Sequence, residues 1–407
     1  MRPKLGVLDF WPIQYKGPLY RRLASRGNVD LEVLYLSDKG YSATLDSQFG
    51  VQVAWDIDLL GGYKHSFLTT KDCPTAKLAR VKALARWLGA QDAVVVHGYT
   101  NRWMLCAIAL CRARRIPYLL RGDSLPRGDT TGFRYLLRYV VVRAIVCRSA
   151  VGLAIGQLNM EFYRRHKANE VVFAPFSVDD SRFALAPATS RSELLAQWGL
   201  STDRAVILYC GKLYPGKRPL DLTAAIQLLA CKVTTIFVGD GLLAEKVRSS
   251  LMPGAGVVTG FVNQSELPIY YHAADIIVLP SETENWGLVL NEAMAAGVLP
   301  VVSDRVGAAP DLVAGLGEIY PCGNIARLAD ALSRALSLVN DPHTRDRVRQ
   351  HAARYSLDRT AVGFEEAVFE ISRRAANKRS SDSQQLSADR TTAVSSERKI
   401  NGKEPQQ

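Results

Sequence analysis

No stretch of this 407-residue chain reaches the ~18 uninterrupted apolar residues that a bilayer span takes. The longest candidate, LLRYVVVRAIVCRSAVGLAIG from Leu136 to Gly156, is cut by Arg138, Arg143 and Arg148. The opening MRPKLGVLDFW lacks the apolar region and small-residue cleavage site of a secretory signal, so nothing in it marks export; it reads instead as a first buried strand. Seven cysteines (Cys73, Cys106, Cys111, Cys147, Cys210, Cys231 and Cys322) include no CxxC pair, and their number is odd. Most lie in apolar runs, which argues for buried free thiols in a reducing cytosol over a disulfide framework or a zinc site. HExxH and Gly-x-Ser-x-Gly are also missing, which removes the commonest zinc-protease and serine-hydrolase signatures.

What is present is a chain with 48% hydrophobic and 22% charged residues, long enough for two cores. Its formal charge of +12 is unevenly spread: residues 1–190 hold 27 Lys/Arg against 15 Asp/Glu, so the whole surplus sits in the first half. Residues 101–150 alone carry ten arginines against Asp123 and Asp129. That asymmetry points to an anionic partner for the N-terminal half, with a merely solvated basic surface as the alternative.

Strand-length apolar runs alternate with amphipathic, helix-length segments in both halves, the pattern of open parallel sheets covered by helices. The first half offers KLGVLDF, VDLEVLYL, DAVVVHG, PYLLRG, VGLAIG and VVFAP; the second offers AVILYCG, TTIFVGD, GVVTGF, DIIVLP and LPVVS. The expected class is α/β, with two doubly wound, Rossmann-like domains facing across a cleft. Residues 1–180 form the first and 190–357 the second, with a boundary in SVDDSRFALAPATS (Ser177 to Ser190). Beyond Asn377 the text is Ser, Gln, Arg, Lys and Asp with few large apolar residues, so 377–407 reads as a disordered tail.

The most informative run is SETENWGLVLNEAMAAGVLPVV, Ser281 to Val302. The strand-like ADIIVLP precedes it, so a strand feeds a glycine-bearing turn that opens a helix. Exposed N–H groups and the positive end of the dipole at such a start bind phosphate. Glu284 and Glu292 flank the turn and can accept hydrogen bonds from hydroxyls, so the ligand implied is a phosphate carrying sugars at both ends.

This E-x7-E spacing resembles that of retaining GT-B glycosyltransferases, in particular glycosyltransferase family 4. YCGKLYPGKRPLDL, IFVGDGLLAEKV and GFVNQSELPIYYHAADIIVLPS are similar, in the same order, to the family's glycine–basic segment, Gly-Asp-Gly turn and base-binding loop. The resemblance implies a hexosyltransferase-type enzyme that takes a nucleotide-diphosphate sugar as co-substrate, with no cofactor and no metal. It places Lys212 and Lys217 on the diphosphate, lysine standing at 212 where the family more often has arginine. Glu284 would meet donor-sugar hydroxyls and Glu292 the ribose. Backbone of Asn285, Trp286, Gly287, Leu288 and Val289 would line sugar and phosphates. Gly239 and Asp240 form the turn near the ligand, and Val262 falls where the family holds the base, with Asn263 and Glu266 as weaker candidates. The segment 358–374 resembles the terminal helix that returns to the first domain.

The N-terminal half is less well covered. YKGPLYRRL resembles the family's first glycine loop, reduced here to Gly17 before Pro18. Where the family often has a histidine this chain has LLRGDS, so Arg121 is the expected catalytic residue there and Asp123 its neighbour. His97, one strand earlier, is either that histidine's replacement or a structural residue. Asp56-Ile57-Asp58 imitates a metal-binding D-x-D and GAGVVTG a dinucleotide fingerprint, but each lies in the wrong context. FRYLLRYVVVRAIVCR, with Arg134 and Arg138, reads either as a basic amphipathic helix for an anionic membrane or as a buried helix. The setting implied is the cytoplasm, at the inner membrane face, with a hydroxyl acceptor that is lipid-linked and with no nucleic acid partner. A GT-B epimerase or phosphorylase, or a non-catalytic nucleotide binder, are the alternatives.

Overall fold

Parallel strands covered on both faces must be apolar almost throughout, because neither face meets water. The computed structural model, which describes residues 2–41, 44–46, 51–71, 76–126 and 132–377, contains two such sheets. The N-terminal sheet orders seven parallel strands as Lys64–Phe67, Asp30–Tyr35, Lys4–Asp9, Ala93–His97, Tyr118–Arg121, Val151–Ala154 and Val171–Phe173. The C-terminal sheet orders six as Gly256–Gly260, Thr234–Val238, Val206–Cys210, Ile276–Leu279, Leu299–Ser303 and Glu318–Tyr320. Central strands such as Val206–Cys210 and Thr234–Val238 are buried along nearly their whole length. All eleven strands expected from apolar runs are present. Within these two sheets Lys64–Phe67 and Glu318–Tyr320 are additional, one polar (KHSF) and the other three residues long, so neither carries an apolar-run signal; Thr44–Asp46 and Val51–Val53 add a separate antiparallel pair.

Each sheet has its own core. One joins Val206, Ile236, Ile277, Val301 and the helix residues Leu290, Leu332 and Val348. The other N-terminal faces are filled by Leu5, Val33 and Leu153 on one side and Leu8, Val96 and Met104 on the other. A final helix over 357–377 lays Ala361, Phe364, Ala367 and Val368 into the N-terminal core, although it follows the C-terminal sheet in sequence. Arg26 fixes it by donating to both Glu365 oxygens at 2.8 and 3.0 Å, and Arg22 does the same to Asp358. The chain therefore crosses the cleft twice, at 174–178 and before 357.

The six cysteines among the described residues are free thiols. Cys73, the Arg134 side chain and the tail expected to be disordered beyond Asn377 lie outside what is described. Among the described residues, no helix is long and apolar enough to cross a membrane.

Candidate active site in the interdomain cleft

The helix Leu288–Ala295 starts at Gly287, whose φ of 96° lies in the left-handed region that a side chain disfavours. Leu290 N–H donates to the Gly287 carbonyl at 2.9 Å, while the N–H groups of Leu288 and Val289 have no intrahelical acceptor, at the carboxyl ends of the strands where open α/β sheets bind ligands. The turn before it is held by main-chain bonds: Gly307 N–H donates to the Glu284 carbonyl at 2.8 Å and Ala308 N–H to that of Trp286 at 3.2 Å. The Trp286 side chain turns away from the cleft. It is buried, donates Nε1–H to Asn291 Oδ1 at 2.8 Å and packs against Phe176 and Tyr355. Only its main chain is available to a ligand.

Lys217 and Glu284 are brought together across 67 residues, Nζ to Oε2 at 2.5 Å. Lys217 ends a 3-10 turn, Pro215–Lys217, stitched to the motif by Glu282 N–H donating to the Gly216 carbonyl at 2.9 Å. The loop carrying Lys212 stacks on the Gly-Asp-Gly turn. Leu213 N–H donates to the Asp240 carbonyl, and a Cβ on Gly239 would stand 1.9 Å from the Gly211 oxygen. The glycine at 239 is thus required by this backbone approach, with no need of a ligand. Gly17 has the same explanation, since a Cβ there would lie 2.6 Å from the Leu59 carbonyl oxygen. Val262 is half-buried against the C-terminal core.

Glu292 points into the protein, where it accepts the Tyr271 hydroxyl at 2.6 Å. Burial, partly offset by Tyr271 and Arg182, pushes its carboxyl up to about 7 from the ordinary 4.5. Between those values the folded chain holds a proton that the unfolded chain has released. Stability from this residue is therefore present below the unfolded value and lost as pH rises to about 7, by about 3 kcal/mol at 1.36 kcal/mol per unit. Glu292→Gln, a neutral isostere, is expected to be more stable than the parent at pH 8 and equal to it near pH 4.5. Urea unfolding at both pH values checks this, and equal stabilities at pH 8 would refute it.

Arg121 is 2% exposed, and its guanidinium donates to the carbonyls of Ala174 (2.6 Å) and Pro175 (3.0 Å) between the rings of Phe176 and Phe364. It lines the cleft floor, but its donors are committed to the domain junction. Asn285 bridges the cleft by donating to Asp123 at 2.9 Å. Asp56, the D-x-D residue set aside on sequence, bridges it elsewhere by accepting from Ser265 N–H at 3.1 Å, while Asn263 donates to the Ala54 carbonyl at 2.7 Å. Sequence reasoning gave no sign of Tyr271, nor of a buried cluster of Asp9, Lys16, Tyr20 and His97 whose members come from three separate elements. Among the described residues, no group of three or more His, Cys, Asp or Glu gathers as a metal site.

The cleft has a 500 Å³ cavity lined by Thr283, Glu284 and Asn285 from one domain and by Asp123, Arg138 and Arg165 from the other. Two Rossmann-like parallel-sheet domains facing such a cleft define the GT-B architecture of glycosyltransferases. Solved structures agree. Anabaena HepE, in complex with UDP and glucose, superposes with a TM-score of 0.62 at 16% identity over 93% of this chain and 100% of that one. A glycosyltransferase from Rickettsia africae gives 0.66 at 14% over 91% and 99%. At such identities the likeness is one of fold.

Residues 190–355 match the family described as glycosyl transferases group 1. Curated relatives include a D-inositol 3-phosphate glycosyltransferase of Kineococcus radiotolerans, 30% identical over 52% of this chain and 54% of that protein. Another is a GDP-mannose-dependent alpha-(1-6)-phosphatidylinositol monomannoside mannosyltransferase of Mycobacterium tuberculosis, 28% identical over 67% and 68%. The chain spans about half the length of the first curated relatives it matches.

Proposed function

We propose that this chain is a retaining hexosyltransferase of glycosyltransferase family 4, which moves a sugar from a nucleotide-diphosphate donor to a hydroxyl acceptor. The observation that carries the reading is the Lys217–Glu284 pair at the mouth of the helix beginning at Leu288. A diphosphate set against that helix start would draw the ammonium of Lys217 and free Glu284 for sugar hydroxyls. Breaking the anomeric C–O bond leaves charge on the diphosphate, and fixed positive groups there lower the barrier. The acceptor hydroxyl then bonds to the anomeric carbon on the same face, its proton passing to the departing phosphate oxygen. No protein base is needed in that sequence. A nucleotide sugar is consistent with the UDP and glucose named for HepE and the GDP-mannose named for the mycobacterial relative.

The test is to incubate the chain with UDP-, GDP- and ADP-sugars and acceptor extracts, then read the anomeric configuration of the product by NMR. Retention supports the reading and inversion removes it. Isomerised sugar from donor alone would instead make the chain an epimerase.

The reading extends to a lipid-linked acceptor at the cytoplasmic membrane face. The helix Phe133–Val146 buries Val142 and Val146, yet Phe133, Leu136, Leu137, Val140 and Val141 are each about half exposed or more. Their i, i+3, i+4, i+7, i+8 spacing makes one outward apolar stripe, and Arg138, Arg143 and Arg148 are exposed beside it. Co-sedimentation with phosphatidylglycerol vesicles at low salt is expected and should fall for Leu137→Glu/Val141→Glu. Absence of vesicle-dependent pelleting would discard the membrane reading.

A further inference from the structure

The two domains are tied by contacts of two kinds, buried and exposed. Asp311, 3% exposed, accepts the Gln157 N–H with both carboxylate oxygens at 3.0 and 3.1 Å, and Tyr355 donates to it at 3.3 Å. Parting that contact would leave a buried carboxylate short of donors, which is costly. At Asp56 the situation is reversed. Ser265 donates to the Asp56 carboxylate through its N–H at 3.1 Å and through its hydroxyl, and Asn263 Nδ2 donates to the Ala54 carbonyl at 2.7 Å. Ala54, Asp56 and Ser265 are all exposed. Water can take over each of these bonds as it breaks, so this contact can part and reform while the buried one holds.

The two acids of Asp56-Ile57-Asp58 serve opposite domains. Asp58 is the anchor: its Oδ1 accepts the N–H groups of Leu60 at 3.0 Å and Gly61 at 2.9 Å, and Arg21 pairs with its Oδ2 at 3.0 Å. Arg21 also donates to the carbonyls of Asp58 and Gly61 at 2.9 and 3.0 Å. Leu59 is buried and its carbonyl accepts the Tyr63 hydroxyl at 2.6 Å. From Asp58 onward the segment is thus fixed against the helix Lys16–Arg26, while Ala54 and Asp56 reach the other domain. What they reach is the loop after Val262. Asn263 organises that loop, since its side chain accepts the Gln264 N–H at 2.9 Å and its carbonyl accepts the Glu266 and Leu267 N–H groups at 3.2 Å. Gln264, buried beneath, accepts from Arg182 at 2.6 Å.

Building on the transferase reading, in which the main chain of Val262 meets the base, we propose that residues 54–58 are a releasable clasp on the base-binding loop and set how fast nucleotide leaves. Asp56 is a positioning residue: it touches Ser265, not the nucleotide, and holds the loop from the opposite domain. While the clasp is made the loop is fixed from both sides. When it parts, the loop rests on the C-terminal domain alone and nucleotide escapes.

Two measurements on the full chain test this. The first is deuterium uptake over 262–267 without nucleotide, which is expected to be faster in Asp56→Ala because the Ser265 N–H loses its acceptor. The second is dissociation of UDP, GDP and ADP from the immobilised chain by surface plasmon resonance. For whichever diphosphate binds, dissociation is expected to quicken about fivefold in Asp56→Ala, with association nearly unchanged. Asp56→Asn, which keeps one acceptor for the Ser265 N–H, should fall between the two. The unfolding midpoint should not move, because the bonds lost are exposed. Equal uptake in Asp56→Ala and the parent would overturn the clasp, and dissociation within about twofold would overturn its hold on nucleotide. Failure of all three diphosphates to bind the parent would sink the transferase reading and the clasp's role in nucleotide exchange. Faster uptake in Asp56→Ala would even then uphold the clasp between the domains.

Discussion

Lys217→Ala is expected to lower donor turnover about 10²–10³-fold, the usual cost of removing one preorganised charge from a developing anion. Its folded stability should barely change. The Lys217–Glu284 pair is short, at 2.5 Å, but its side chains are 29% and 22% exposed. Pairs that meet water contribute roughly 0–1 kcal/mol. Turnover and stability therefore separate cleanly here. Glu284→Ala removes the other half and should cost a similar factor in turnover. Glu284→Gln is the sharper variant, because it keeps the shape and releases Lys217 to the diphosphate. It should tighten binding of the nucleoside diphosphate alone while impairing transfer. Nucleotide release across a donor panel, with unfolding midpoints measured alongside, gives the answer. Turnover within threefold of wild type in Lys217→Ala would refute the assigned role.

How much of this was readable from sequence depended on whether the signal was local. The central strands announce themselves because residues such as Ile207, Leu208, Ile276 and Ile277 are shielded on both faces. The edge strand Lys64–Phe67 has one neighbour and polar side chains, and so reads as loop. The turn before Leu288 could be placed, since strand, glycine and helix follow one another within a few residues. Side-chain directions could not. Glu284 and Glu292 form one motif, yet the first meets Lys217 and the second turns inward to Tyr271. Trp286 sits between them and packs into the domain junction instead of the cleft. Asp9, Lys16, Tyr20 and His97 span 88 positions between first and last, and only the pairing of the strands Lys4–Asp9 and Ala93–His97 makes them neighbours. Such clusters leave no spacing to recognise.

Arg121→Ala is expected to produce the largest stability loss of any single substitution in the cleft floor, about 3–5 kcal/mol. The guanidinium is almost fully enclosed, has no carboxylate bonded to it among the described residues, and instead satisfies the carbonyls of Ala174 and Pro175 where the chain first leaves the N-terminal domain. Burial, only partly offset by the surrounding tyrosines and Asp9, pushes its pKa down to about 10, so it stays charged at neutral pH. Truncation would leave the buried Ala174 carbonyl without its Arg121 donor, leave Pro175 to Thr360 alone, and empty the space between Phe176 and Phe364. Sequence comparison favoured a part in chemistry for this residue, and the two roles predict different things. A strut predicts that Arg121→Met, which fills the space without donors, loses stability but turns over donor at low temperature, while Arg121→Lys falls between it and the parent. A charge acting on the substrate predicts lost turnover in Arg121→Met at nearly unchanged stability. Urea unfolding and nucleotide release at 15 °C, measured on the same preparations, separate them. Thr360, whose hydroxyl donates to the Pro175 carbonyl at 2.8 Å, supplies an internal comparison. If the junction carbonyls are what Arg121 serves, Thr360→Val and Arg121→Met should interact when combined, with a double-mutant coupling well above 0.5 kcal/mol, whereas a residue engaged with substrate would leave the two losses additive.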